Sequence, residues 1–328
     1  MATLASEPLV GIELKKAAPP ESLWRVTLRR FLRQRTAIVG LVMLGILTFA
    51  AVFAPLIAPY DPLEQLIGKE DVKKREAPCI HLLGCPADQP QHIMGTDGNV
   101  RDFFSRMIYG ARYSLLIGFF AVSFAIVIGT LLGAVAGYAG GWLEDVIMRV
   151  MDVLLAFPSL LLAIAIVVVL NPRLEGLPEV PGLPGFWGMV AALLAVGIVS
   201  IPGYARIIRA SVLSIKELEY IEASRALGAN HVRVLFNRIL PNSMTPLIVQ
   251  ATLGIAGAIL ETAALSFLGF GAQPPAPEWG AMLGTERSQI FSAPHLVFFP
   301  GLAISITVLA WNLVGDGLRD ALDPRLMR

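Results

Sequence analysis

Charge is scarce in this chain. Asp, Glu, Lys and Arg together make up 16% of its 328 residues, where a soluble domain carries about a quarter. The charges are also clustered, so six tracts hold none: Thr36 to Tyr60, Tyr113 to Leu143, Val153 to Pro172, Val180 to Ala205, Ile239 to Leu260 and Ser288 to Gly315. Each is long enough to cross a hydrocarbon core, which needs about 20 apolar residues. With 55% hydrophobic residues and a mean hydropathy of +0.66, a single soluble core is excluded. The expectation is an all-α, polytopic membrane protein of about six transmembrane helices.

Cysteine is nearly absent too: only Cys79 and Cys85 occur, in CIHLLGC. No phosphate-cradling GxxxxGK loop ending in Ser or Thr exists; Gly68-Lys69-Glu70 lacks the earlier glycine and the hydroxyl residue. HExxH, GxSxG and paired-cysteine zinc patterns are also missing. The chain has no recognisable means of hydrolysing ATP, no catalytic residues are assigned, and neither a cofactor nor a metal is expected on it. An enzyme embedded in the membrane would need a catalytic cluster at depth, and none is seen. The net charge of +1 says nothing about nucleic acid, and no such partner is expected. No secretory signal peptide is read, because the first apolar run starts late and is too long.

The cations that are present define an orientation. Lys15, Lys16, Arg25, Arg29, Arg30, Arg33 and Arg35 precede the first tract. Arg206, Arg209, Lys216, Arg225, Arg233 and Arg238 surround the gap between the fourth and fifth, and Arg319, Arg325 and Arg328 close the chain. With six crossings all three groups fall on one side, which the positive-inside rule makes the cytoplasm, so both termini are cytoplasmic. Residues 1–35 read as a cytoplasmic tail and an amphipathic interfacial helix anchored by Trp24, residues 36–59 as the first span, and 60–111 as an external loop. Residues 112–318 read as a core of five spans with a polar loop at about 206–242, and 319–328 as a second cytoplasmic tail.

In the external loop, Cys79 and Cys85 are expected to oxidise, a clip of about 2 kcal/mol against local unfolding. His81 and His92 nearby raise a metal site as an alternative, weakened by irregular spacing in a loop read as flexible. Gly129, Gly133 and Gly137, four apart, form a stripe suited to close helix packing in lipid. Arg149 and Asp152 are spaced to pair on one helix face, and Pro158 is placed to kink the third span. Glu261 stands alone inside an apolar helix, facing either a translocation cavity or a hydrogen-bonding neighbour.

The stretch Tyr220–Asn242, YIEASRALGANHVRVLFNRILPN, is polar and lies between two apolar tracts. Glu222 to Leu227 are helix formers, Gly228 suits a left-handed stop, and a second amphipathic run ends at Pro241. A helix, a bend and a second helix, facing water, make a knob suited to a partner's groove. Glu222, Ala223, Ser224, Gly228, Leu240 and Pro241 follow the spacing of the loop in permease subunits of bacterial ABC importers, with Ser224 and Arg238 departing from its usual Ala and Ile. The basic helix before APLIAPYDP, the segment HIMGTDGNVRDFFSRMIYGARYSLLIG and the ending NLVGDGLRDALDPRL resemble the C-type permease of dipeptide and oligopeptide importers.

The resemblance implies the type I importer permease fold in the bacterial inner membrane. It implies a homologous second permease, two cytoplasmic ATP-binding subunits that hold ATP and magnesium, and an external substrate-binding protein. Ala223 and Leu227 would touch the ATPase, Glu222 would stabilise the loop by capping or a basic partner, and Gly228 would set the bend. Dipeptides or oligopeptides are the expected substrate, with nickel complexes, glutathione-like peptides and oligosaccharides as alternatives within the group. A different class, an ion-coupled secondary transporter using Glu261, predicts several intramembrane carboxylates where one stands out.

Overall fold

The structure, a computed structural model, describes residues 23–174, 176–178, 180 and 184–322. The remaining tail residues, with Lys15, Lys16, Arg325 and Arg328, and the Trp24 side chain lie outside the described residues. Among the described residues the architecture is helical, with three isolated bridges and no named strand.

A basic helix, α1 (Leu23–Phe31), leads into α2 (Arg35–Val52), the first apolar helix. Phe53 and Pro55 break it from the single turn α3 (Ala54–Ile57). The exposed carbonyls at the end of α2 are met by a cation from the next helix. Arg112 Nη2 donates to Val52 O at 2.7 Å and its Nε donates to Ala51 O. That next helix, α4 (Phe103–Ala139), is capped by Asp102, whose carboxylate accepts from Ser105 N at 2.7 Å. At 37 residues it is about 55 Å long, more than a bilayer needs. Its first turns carry Arg106 and Arg112, which is why the apolar run begins only at Tyr113.

Gly140 and Gly141, at φ 67° and 60°, turn the chain into α5 (Gly141–Leu155). The third tract is not one straight span. α5 and α6 (Ser159–Leu174) meet at 96°, because Pro158 cannot continue a helix. The expected Arg149–Asp152 pair is also corrected. Asp152 instead bonds Arg206 on α7 (Phe186–Lys216), and Glu144 accepts from Arg209 Nε at 2.7 Å. An inter-helix guanidinium wins over the local one because α5 crosses the cation-bearing end of α7.

After α7 come α8 (Glu219–Ala226) and α9 (His231–Val234). Pro241 does not end the second run. One turn of π-helix at Leu235–Ile239, in which Leu240 N reaches Leu235 O, and one 3-10 turn at Leu240–Ser243 carry the chain into α10 (Met244–Phe267). The altered hydrogen-bond spacing accommodates the proline without breaking the helix. The short α11 (Trp279–Glu286) and the long α12 (His295–Leu322) follow. Among the described residues five helices are long and apolar enough to cross a membrane, and six if the bent α5–α6 pair counts as one span.

The centre is the seam between α4 and α7. A Cβ added to Gly133 would sit 2.2 Å from Ala205 O, and ones on Gly129 and Gly137 would meet Ile201 O and Arg209 O at 2.9 Å. The three glycines therefore bring backbone onto backbone. Gly317 of α12 approaches Ala37 of α2, and Gln34 donates to Asp320 at 3.3 Å, so the N- and C-terminal helix ends lie together.

The opposite end carries a built cap rather than a flexible loop. His92 is buried, with Nδ1 2.8 Å from Asp102 and Nε2 3.1 Å from Glu70, and it stacks on Tyr60 at 5.1 Å. Asp97 receives both Arg101 at 2.8 Å and Arg106 at 3.3 Å. Glu286 of α11 accepts from Arg75 Nε at 2.8 Å and Gly98 N at 3.0 Å, fastening the cap down. Cys79 and Cys85 form a disulfide. His81 is turned to Gln89 O at 2.8 Å, so the two histidines and the cysteines do not converge on one point.

Burial alone would lower the His92 pKa, but the hydrogen bonds and charges of Asp102 and Glu70 outweigh it and raise it above its usual value. The cap's stabilisation by this group is therefore complete below about pH 6.5 and lost as pH rises through the raised value. Amide exchange across residues 61–102 is expected to speed up over that rise, and a His92→Gln variant to exchange fast at every pH. At the seam, Gly133→Ile should cost roughly 3 kcal/mol through overpacking, read as a lowered melting temperature. Gly45→Ala, where a new methyl meets nothing within 4 Å, should be neutral.

Candidate coupling surface and transmembrane cavity

Outside the external cap, which holds Lys69, Lys73, Lys74 and Arg75, the described cation-rich segments are α1, the end of α7, the α8–α9 knob and the end of α12. Within the knob, α8 stops as the sequence requires. Gly228 has φ 83°, with Gly228 N bonded to Arg225 O at 2.9 Å and Ala229 N to Ser224 O at 3.2 Å. This pair of bonds closes a helix through a left-handed residue, a conformation open to glycine at little cost. Asn230 then caps α9, accepting from Val232 N at 3.2 Å.

The knob has an inner and an outer side. Ile221, Val234 and Ile239 are fully buried and root it in the bundle, and Leu240 is half-buried. Leu227 is 89% exposed, Val232 62% and Phe236 43%, while Glu222, Ala223 and Pro241 also face solvent and Ser224 is half-buried. Large apolar side chains left bare on a basic, water-facing element mark a contact surface. Glu222 caps nothing: α8 begins at Leu218 without a side-chain cap, and among the described residues no ion pair reaches Glu222. Its charge in the first turn favours the helix dipole and stays free for another chain.

Two contacts tie the knob to the spans and a third ties the last residue of α7, at the knob's root, to α4; sequence reasoning missed them all. Tyr138 Oη, at the end of α4, lies 2.8 Å from His231 Nδ1. The Arg225 guanidinium sits 5.6 Å from the Tyr138 ring centroid. Lys216 Nζ donates to Gly137 O at 3.1 Å. Within the knob, Asn242 Nδ2 donates to Tyr220 Oη at 3.2 Å, closing its two legs. No local signal marks these pairs, because each joins residues far apart in the chain.

Glu261 is not brought to the knob. It lies about 25 Å along α10 from Met244, half-buried on the wall of a cavity of about 270 Å³ between α6, α7 and α10. The Ser159 hydroxyl, released by the break before α6, is its polar neighbour. Gly129, Gly133 and Gly137 lie in the seam already described and are not among the residues lining this cavity.

Known proteins are similar to this chain. Residues 129–328 match the family described as the binding-protein-dependent transport system inner membrane component. Residues 22–78 match the N-terminal TM domain of oligopeptide transport permease C. The dipeptide transport system permease protein of Alkalihalophilus pseudofirmus is 44% identical, covering 99% of each chain. The di/tripeptide transport system permease protein of Pseudomonas aeruginosa is 42% identical over 99% of each. The glutathione transport system permease protein of Pectobacterium atrosepticum is 44% identical over 92% of this chain and 91% of that one. An inward-facing structure of the MetNI methionine ABC transporter shares the fold, with a TM-score of 0.53 at 19% identity over 67% of this chain and 97% of its counterpart. The chain belongs to the inner-membrane component family of binding-protein-dependent transport systems, and is an ABC-importer permease subunit of the inner membrane.

Proposed function

We propose that this subunit moves dipeptides or short oligopeptides inward by alternating access, driven through the α8–α9 knob by ATPases it does not itself contain. The observation that carries this reading is the knob: a bent helix with Leu227 bare at its tip, Tyr138 of α4 holding His231 and Arg225, and Ile221 buried at its base. A surface so exposed at the tip and so fixed at the base suits a lever. Leu227 and Ala223 would enter an apolar groove on an ATPase, and Glu222 would meet a cation at its rim. Closure of the ATPase pair would then pull α4, α7 and α10 together as one body, because the knob is tied to all three.

The partners in this reading are a homologous second permease, two ATP-binding subunits and an external receptor that delivers the solute. Nucleotide and magnesium belong to the ATPases, since this chain has no phosphate-binding loop. Peptides are favoured as substrate by the relatives named for dipeptides and di/tripeptides. A glutathione-like peptide is the second reading, favoured by the relative at 44% identity named for glutathione.

In the reconstituted complex, Glu222→Arg and Gly228→Pro should leave folding and insertion intact, since both residues are exposed. Pro at position 228 is incompatible with a positive φ. Each should abolish receptor stimulation of ATP hydrolysis, a fall on the order of tenfold or more. Normal stimulation in both variants would refute the role given to the knob.

A further inference from the structure

The cavity beside Glu261 is shaped by omission. On α10, Gln250, Gly254, Gly257 and Glu261 recur at spacings of four, three and four, so they share one helix face. On α7, Gly203 lies between Ser200 and Tyr204, which also line the hollow. A Cβ added to Gly203 or Gly257 would meet nothing within 4 Å. These two glycines differ in kind from Gly133, whose missing side chain is what lets α4 touch α7. Here the missing side chains leave space, about 270 Å³ of it.

Into that space a single carboxylate projects. Among the described residues every ion pair lies elsewhere, at the external cap or at the cation-rich end, and none involves Glu261. Ser159 offers one hydroxyl beside it and Gln250 an amide about 16 Å away along α10, and neither carries charge. A charged group at this depth is costly unless a cation or several donors meet it, so an unpaired carboxylate is more easily kept for a ligand than for packing. The hollow suits the end of a small solute better than a long chain.

We propose that this hollow binds the protonated amino end of the transported peptide, with Glu261 as its counter-charge and the Ser159 hydroxyl as a neutral hydrogen-bonding neighbour. The inference rests on the functional reading above and adds to it a recognition step inside the membrane. The ammonium is the one positive group that every unblocked peptide carries, always at the same end, so a lone acid can select for it whatever the side chains are. The rest of the lining, glycines, Ser200 and Gln250 with Leu155, Val199, Tyr204 and Ala258, carries no further charge to read those side chains.

The test is uptake of radiolabelled alanyl-alanine by proteoliposomes holding the complete importer, receptor and ATP, scored as peptide imported per ATP hydrolysed. Glu261→Gln should lower that ratio about tenfold, the loss expected for a hydrogen bond to a charged group, and Glu261→Asp should restore part of it. Gly257→Leu, which fills the hollow and leaves the charge, should lower it as well. An unchanged ratio in Glu261→Gln, or an Asp variant no better than Gln, overturns the inference while leaving the importer reading intact. Uptake by the unaltered complex that needs a proton gradient instead of ATP overturns both.

Discussion

The rest of the molecule depends on backbone contact between α4 and α7. Gly129, Gly133 and Gly137 remove the side chains that would hold the helices apart, and Ala205 and Tyr204 close the gap from the other side. In a lipid solvent there is no hydrophobic gain from joining two apolar helices, so close packing has to supply the association. The consequence reaches well beyond the seam. α7 runs directly into the knob, and the end of α4 carries the tyrosine that meets the knob and the carbonyl that holds the last residue of α7. Two helices locked along their length make the base of the lever rigid.

That rigidity gives the polar contacts at the cation-rich end their meaning. Exposed ion pairs such as Arg206–Asp152 add little stability of their own. They do fix where α5 lies across α7, and with it the position of the break before α6. The same break delivers Ser159 to the cavity. Motion of the knob would thus be felt in the cavity through packed helices that move together. The external cap, clamped by the His92, Asp97 and Glu286 clusters, holds the other ends of α4 and α11 in register.

Much of this was legible in the sequence wherever the physics is local. Uncharged runs gave the spans, four-residue spacing gave the glycine stripe, and helix formers followed by Gly228 gave the bend. Pro158 was correctly read as an interruption, although composition could not fix an angle. What could not be read depends on residues brought together by folding. Tyr138 and His231 are 93 positions apart and Arg209 and Glu144 are 65 apart. Arg149 looked paired with Asp152 only because the helix crossing that brings Arg206 there has no local sign. Pro241 looked like a stop because a π turn can absorb a proline, and nothing in the residue pattern announces one. The external loop looked loose because the burial of His92 between two carboxylates is a tertiary fact.

The central claim is that the knob at Leu227 receives force from a nucleotide-hydrolysing partner on the inner side of the membrane. Cysteine cross-linking from a Leu227→Cys variant in the assembled complex tests it most directly. The account predicts an adduct with an ATPase subunit, formed from the cytoplasmic side, whose yield changes between nucleotide-free and nucleotide-trapped states. Labelling of that cysteine only by reagents outside the cell, or no adduct with an ATPase in any state, would contradict it.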